Sequence, residues 1–178
     1  MNDYGVATTN DTLRIERLLP GPIERVWLFL TDPEKRGTWL ASGAMDPATG
    51  GQVELVFRNS ELTTADDSPP ARYDSHAGES HLLGTIVQCD PPHLLAFTWG
   101  DGQPDMSQVR FELIVEGDDV RLIVTHTHLT DRDAMLGVAT GWHTHLDILR
   151  DRLRGQAPDG FWRKFALLEP VYGRRISR

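Results

Sequence analysis

Residues 109–155, VRFELIVEGDDVRLIVTHTHLTDRDAMLGVATGWHTHLDILRDRLRG, change hydrophobic period part-way along, and that change decides the fold. At first, apolar residues recur at every second position: Val109, Phe111, Leu113 and Val115. After the turn Glu116-Gly117-Asp118-Asp119, Leu122 and Val124 continue the rhythm and put His126 and His128 on their face. A period of two places alternate side chains on one side of a strand, and two such runs around a tight turn read as an antiparallel hairpin. From Asp131 the period becomes helical. Met135, Val138, Trp142, Leu146, Leu149 and Leu153 form one stripe, and Gly155 suits the position just past a helix end.

Upstream, the pattern repeats. Asp11 to Leu19 reads as a first strand, with Leu13, Ile15 and Arg17 on one face, stopped by Pro20-Gly21-Pro22. Ile23, Val26, Trp27 and Leu30 then fall on one side of a short helix. Asp32-Pro33-Glu34 starts a second, because Asp caps, Pro fits the first position and Glu complements the helix dipole. Val53, Leu55 and Phe57 alternate, as do Leu95, Phe97 and Trp99, with another strand from His81 to Cys89 between them. Residues 59–80 show no periodicity and contain Pro69-Pro70, so a long solvated loop is expected there, with a shorter loop at 100–105.

The order is therefore strand, two short helices, about six antiparallel strands and one long C-terminal helix: an α+β chain of the helix-grip kind. A sheet with one apolar face must be covered, and the 131–155 helix is the only long amphipathic element available to cover it. A curved sheet gripping one helix leaves space between the two, where a cavity is expected. Residues 1–155 make up this domain. Residues 156–178 form a short extension expected to fold back on it through Phe161, Trp162, Phe165, Leu167 and Leu168.

Composition narrows the function classes. The chain has 178 residues, long enough for one core without a disulfide or metal staple. Cys89 is the only cysteine, so neither an intrachain disulfide nor a four-cysteine zinc site can form. No apolar run approaches the ~20 residues needed to cross a bilayer, and the polar start has no signal pattern, so a cytoplasmic protein without membrane insertion is expected. A net charge of −8 speaks against nucleic acid as a partner. Residues 150–178 nevertheless carry eight basic against three acidic side chains, a basic tail on an acidic body.

Several segments together resemble a known family. They are Pro22-Ile23-Glu24-Arg25-Val26-Trp27, Lys35-Arg36-Gly37-Thr38-Trp39-Leu40, residues 84–92, 94–99 and 122–128, and Gly141-Trp142-His143-Thr144-His145-Leu146-Asp147. Their order and spacing are similar to the START-like superfamily of polyketide cyclases, dehydratases and lipid-transport proteins. Within it the chain resembles the bacterial branch named after the activator of heat-shock-protein-90 ATPase. The resemblance implies the helix-grip fold, an internal cavity for a small hydrophobic molecule, and a chaperone as a further partner to consider. The eukaryotic co-chaperones carry a second, N-terminal domain for that partner, whereas this chain starts at its first strand.

The chemistry-bearing residues follow from the faces assigned above. Trp39, Phe57, Phe97, Trp99, Phe111, His126, Trp142, Leu146 and Leu149 are expected to line the ligand cavity. His126 is the best polar residue among the inward positions and the one candidate for a catalytic acid or base, in a reaction of the cyclase or hydratase type. The loop residues Arg72, Tyr73, Asp74 and His76 could cap the pocket and supply a partner to His126. His126 and His128 share a strand face, but His143 and His145 lie about 200° apart on a helix and cannot both join them. No metal site is expected, His143 should be solvated, and no cofactor signature is present. Three readings remain: a ligand-binding protein, an enzyme using His126, and a protein-interaction module. A homodimer is left open.

Overall fold

A computed structural model describes residues 3–64, 68–101 and 106–176. Residues 102–105 of the expected 100–105 loop and residues 65–67 of the long connection lie outside the described residues, as do the two residues at each end. The described elements are β1 (Val6–Ala7), β2 (Leu13–Pro20), α1 (Ile23–Thr31), α2 (Pro33–Gly37), β3 (Gln52–Phe57), β4 (Ser80–Asp90), β5 (Leu94–Trp99), β6 (Ser107–Glu116), β7 (Asp119–Thr127), α3 (Arg132–Leu153) and α4 (Phe161–Arg175).

The seven strands form one antiparallel sheet in the order β1-β2-β7-β6-β5-β4-β3. The chain runs down a meander from β3 to β7, and β2 closes on the far side of β7. Alternation sets the inner face: Leu13, Ile15, Arg17 and Leu19 of β2 are buried, as are Val109, Phe111 and Leu113 of β6. In register, His126 of β7 stands between Leu13 of β2 and Val109 of β6. The sheet is therefore the curved, one-sided surface that its sequence periods imply, and α3 lies across its inner face over β2.

Local chemistry fixes the helix ends. The Asp32 side chain accepts the Lys35 N–H at the start of α2, and the Asp131 side chain accepts the Ala134 N–H at the start of α3. Each satisfies a backbone donor that a helix cannot satisfy internally. α3 ends at Gly155, whose φ of +68° is readily reached only without a Cβ. The buried Arg36 guanidinium gathers carbonyls of Leu30, Thr31, Ala41 and Gly43, tying α1 and α2 to the chain that follows them.

Several expectations need correction. β1 is an added edge strand in a segment whose polar sequence shows no alternation. β7 ends at Thr127, and His128 takes a positive φ of 59° and points to solvent, so it does not share a face with His126. The 59–80 connection is not structureless: it holds 3-10 turns at Asn59–Glu61 and Ala71–His76. Residues 161–175 form a 15-residue helix rather than a short extension. Phe161, Trp162, Phe165, Leu168 and Tyr172 bury one side of it, whereas Leu167 is 66% exposed and anchors nothing.

Candidate functional site

Between α3 and the inner sheet face lies a cavity of about 160 Å³. The sheet side is formed by Phe57 of β3, Trp99 of β5 and His126 of β7, with Leu40 from the chain after α2. The helix side is formed by Gly137, Val138, Gly141, Trp142 and His145. Positions 138, 141, 142 and 145 are spaced i, i+3, i+4 and i+7, one face of a helix. Among the described residues, no Asp, Glu, Lys or Arg borders the space. A Cβ built on Gly137 or on Gly141 meets nothing within 4 Å, so the helix presents bare backbone to the cavity there.

Of the nine residues expected at the wall, Phe57, Trp99, His126 and Trp142 border the space. Phe97 and Phe111 stand behind them. Phe97 stacks on Trp99 with centroids 6.2 Å apart, and Phe111 meets the edge of Trp142 at 5.5 Å. Leu146 and Leu149 are fully buried core residues away from the wall. The Trp39 ring is also buried, its N–H given to the Phe29 carbonyl at 2.8 Å, and it serves the site through its own carbonyl instead. Leu40, Gly137, Val138, Gly141 and His145 were missed. The helical spacing from Val138 to His145 was the available signal for most of them.

Two histidines border the cavity, and their hydrogen bonds fix their tautomers. The indole N–H of Trp142 donates to His126 Nδ1 at 3.1 Å, so the ring proton of His126 sits on Nε2, which meets Ser107 Oγ at 2.9 Å. The residue that completes His126 is thus Ser107 of β6, not the 59–80 loop. His145 donates from Nδ1 to the Trp39 carbonyl at 2.8 Å, which leaves a lone pair on Nε2. Burial disfavours the charged imidazolium and pushes both rings down to about 4, so both are neutral near pH 7.

The opposite face of α3 is charged and crowded. Asp147, almost fully buried, accepts from Arg17 Nε at 3.0 Å, Arg150 Nη2 at 3.0 Å and Lys164 Nζ at 2.6 Å. His143 is buried in this cluster rather than solvated: Tyr172 Oη lies 2.9 Å from its Nδ1, and its Nε2 lies 3.5 Å from Asp147. Burial by itself would raise the Asp147 carboxyl, but His143, Arg17 and Lys164 outweigh it and hold the group below the usual carboxylate range. Burial also pushes the Tyr172 phenol up to about 12. Gly5 N–H donates to that phenol at 2.8 Å, which brings the N-terminal segment into the same cluster. Among the described residues no group of three or more His, Cys, Asp or Glu is placed to hold a metal ion.

Within the 59–80 segment, Ser60, Arg72 and Tyr73 pack on α4 and do not border the cavity. Tyr73 stacks on Trp162 and donates to Glu169 at 2.5 Å, Arg72 pairs with Glu169, and the Trp162 indole donates to Ser60 at 2.9 Å. Among the described residues, no helix is long and apolar enough to cross a membrane.

The family model described as Activator of Hsp90 ATPase homolog 1-like protein matches residues 20–154, which includes every residue bordering the cavity and stops before α4. A solution structure of the protein encoded by gene BPP1335 from Bordetella parapertussis is 44% identical, over 99% of this chain and 92% of that one, with a TM-score of 0.81. The crystal structure of CalU16 from Micromonospora echinospora is 24% identical over 94% and 89% of the two chains, with a TM-score of 0.66. Protein NE0264 from Nitrosomonas europaea is 19% identical over 82% and 96%, with a TM-score of 0.62. The last two show the fold alone. No curated protein matches the sequence.

Proposed function

Because the chain belongs to the family of Activator of Hsp90 ATPase homolog 1-like proteins, within the START-like superfamily, we propose that it binds a small, mainly hydrophobic molecule between α3 and the sheet. The observation that carries this reading is the uncharged, largely aromatic space of about 160 Å³ facing Gly137 and Gly141. Glycine costs a helix interior about 1 kcal/mol relative to alanine, and here two of them on one face leave room that larger side chains would fill. Pockets for drug-sized ligands run to about 300–1,000 Å³, whereas a dry cavity of about 150 Å³ accepts benzene. The enclosed part of the ligand is therefore about one ring in size. A longer ligand would leave past Gly137, the exposed member of the wall.

Residues 1–155 are the binding domain in this reading, and α4 in the segment that follows braces α3 from behind. In this reading His126 serves as part of the wall, with its ring nitrogens bonded to Trp142 and Ser107. Titration of the protein with toluene, followed by two-dimensional NMR, tests the proposal. Saturable one-site binding is expected, with shift changes centred on the Trp99 and Trp142 indoles, and Gly141→Leu should abolish it while the fold persists. Absence of saturable binding, or binding indifferent to Gly141→Leu, would sink the reading.

A further inference from the structure

We infer that the cavity selects an uncharged, ring-sized molecule bearing one hydroxyl or N–H group, and that this group donates its hydrogen to Nε2 of His145. The inference rests on the pocket reading above and adds the chemistry of the ligand to it.

Among the described residues, four side chains at the wall carry a polar atom: Trp99, His126, Trp142 and His145. An indole nitrogen only donates, so the two tryptophans offer no acceptor. His126 has spent its lone pair on Trp142 and its proton on Ser107. The carbonyls of Gly137 and Gly141 lie within α3 and are taken by the helix ladder. His145 differs. Its Nδ1 proton is fixed by the Trp39 carbonyl, which can only accept, and none of its recorded hydrogen bonds uses Nε2. The ring is 6% exposed and borders the cavity, so this lone pair is the acceptor that a bound molecule would meet.

Nε2 faces a space that water can enter, so a ligand that displaces the water without a donor of its own would leave this acceptor unpaired, which makes a donor on the ligand favourable there. The same wall rejects anions: with no cation among the described residues beside the space, an ionised carboxylate would lose its hydration and gain no partner. Burial also keeps His145 from supplying the missing positive charge, since its ring is neutral near pH 7.

Toluene, phenol and benzoate separate the possibilities when titrated into the full chain at pH 7. A wall that is merely apolar favours toluene, because phenol must shed the water on its hydroxyl. We expect phenol to bind at least as tightly as toluene, and benzoate not to bind. In His145→Phe the phenol-to-toluene ratio should fall roughly tenfold, the order of one neutral hydrogen bond. Phenol should also move the 15N resonance of His145 Nε2 in the wild type, a readout that stands if the variant fails to fold. A wild-type ratio that favours toluene, an unchanged ratio in the variant, or a still Nε2 resonance overturns the inference while leaving the pocket intact. Failure of both toluene and phenol to bind overturns the pocket itself.

Discussion

The two faces of α3 are built on opposite rules, although they share one short stretch of sequence. His143 and His145 are two residues apart and point about 200° away from each other. His145 faces an uncharged space in which the helix shows bare glycine backbone. His143 faces Asp147 and Tyr172, in a cluster that Arg17 and Lys164 complete. A helix that leaves one side underfilled gives up contacts there, and the deficit must be met elsewhere. The charged cluster meets it by fastening α3 to β2 through Arg17 and to α4 through Lys164 and Tyr172. What the comparison teaches is a division of labour: one face holds the helix still so that the other can stay open.

Breaking the fastened face should have the largest effect. Asp147→Ala leaves the fully buried Arg17 guanidinium without its counter-charge, and removing one partner of a buried pair costs about 3–5 kcal/mol. Urea unfolding measures this, and a loss below about 1 kcal/mol would mean that the cluster is ornamental to α3. Toluene binding should weaken in the same variant, because the open face depends on a fixed helix.

The open face should reveal itself through pH. His126 and His145 are held at about 4 when folded, below the unperturbed value near 6.5. The unfolded chain therefore binds more protons between those limits, and stability rises with pH across that window. Going from pH 7 down to pH 5 should cost roughly 2 kcal/mol for each ring. The stability contributed by Asp147 is lost only at lower pH, as the medium falls below the ordinary carboxylate range. His126→Gln should remove only part of the upper slope, because burial holds His145 and His143 down as well, as read from unfolding curves at pH 5 and pH 7. A flat profile in that range would show that both rings reach water.

The smallest effect has the opposite sign. Gly137→Ala restores helix propensity without a clash, so it should stabilise the domain by about 1 kcal/mol. Because Gly137 borders the cavity at its exposed side, a methyl there should narrow the mouth, and toluene affinity should drop as the melting temperature rises. A variant that gained stability and kept full affinity would place the ligand elsewhere.

The sheet and α3 were legible because their signals are local. Alternation from Val109 to Val124 and the stripe from Met135 to Leu153 need no partner to be recognised. The inward direction of His126 followed from the same alternation. Arg17 also fell on the inner face of the first strand, but its counter-ion Asp147 is 130 residues away, and no local period reveals such a pairing. His143 was misjudged for the same reason: its partner Tyr172 lies on a helix whose own pattern is interrupted by Pro170 and Gly173. His128 continued the alternation on paper, yet a single residue at positive φ ended the strand before it. The cavity wall was half legible. The aromatics stood out by type, whereas Gly137 and Gly141 contribute by what they lack, and a hydrophobic count passes over them.

The Trp142–His126 contact also equips the protein with an optical probe of its own. Five tryptophans occur in the chain, and two of them, Trp99 and Trp142, border the cavity with ring centroids 5.5 Å apart. The Trp142 indole N–H is held by an imidazole nitrogen 3.1 Å away rather than by water. Indole emission depends on the polarity around the ring and on the group that holds its N–H. An entering molecule should therefore shift the emission of these two rings, whereas Trp39 and Trp162, buried elsewhere, supply a constant background. Protonation of His126 takes away the acceptor of that N–H, so the same signal should change with acid, and an unlabelled sample in a cuvette would follow both events.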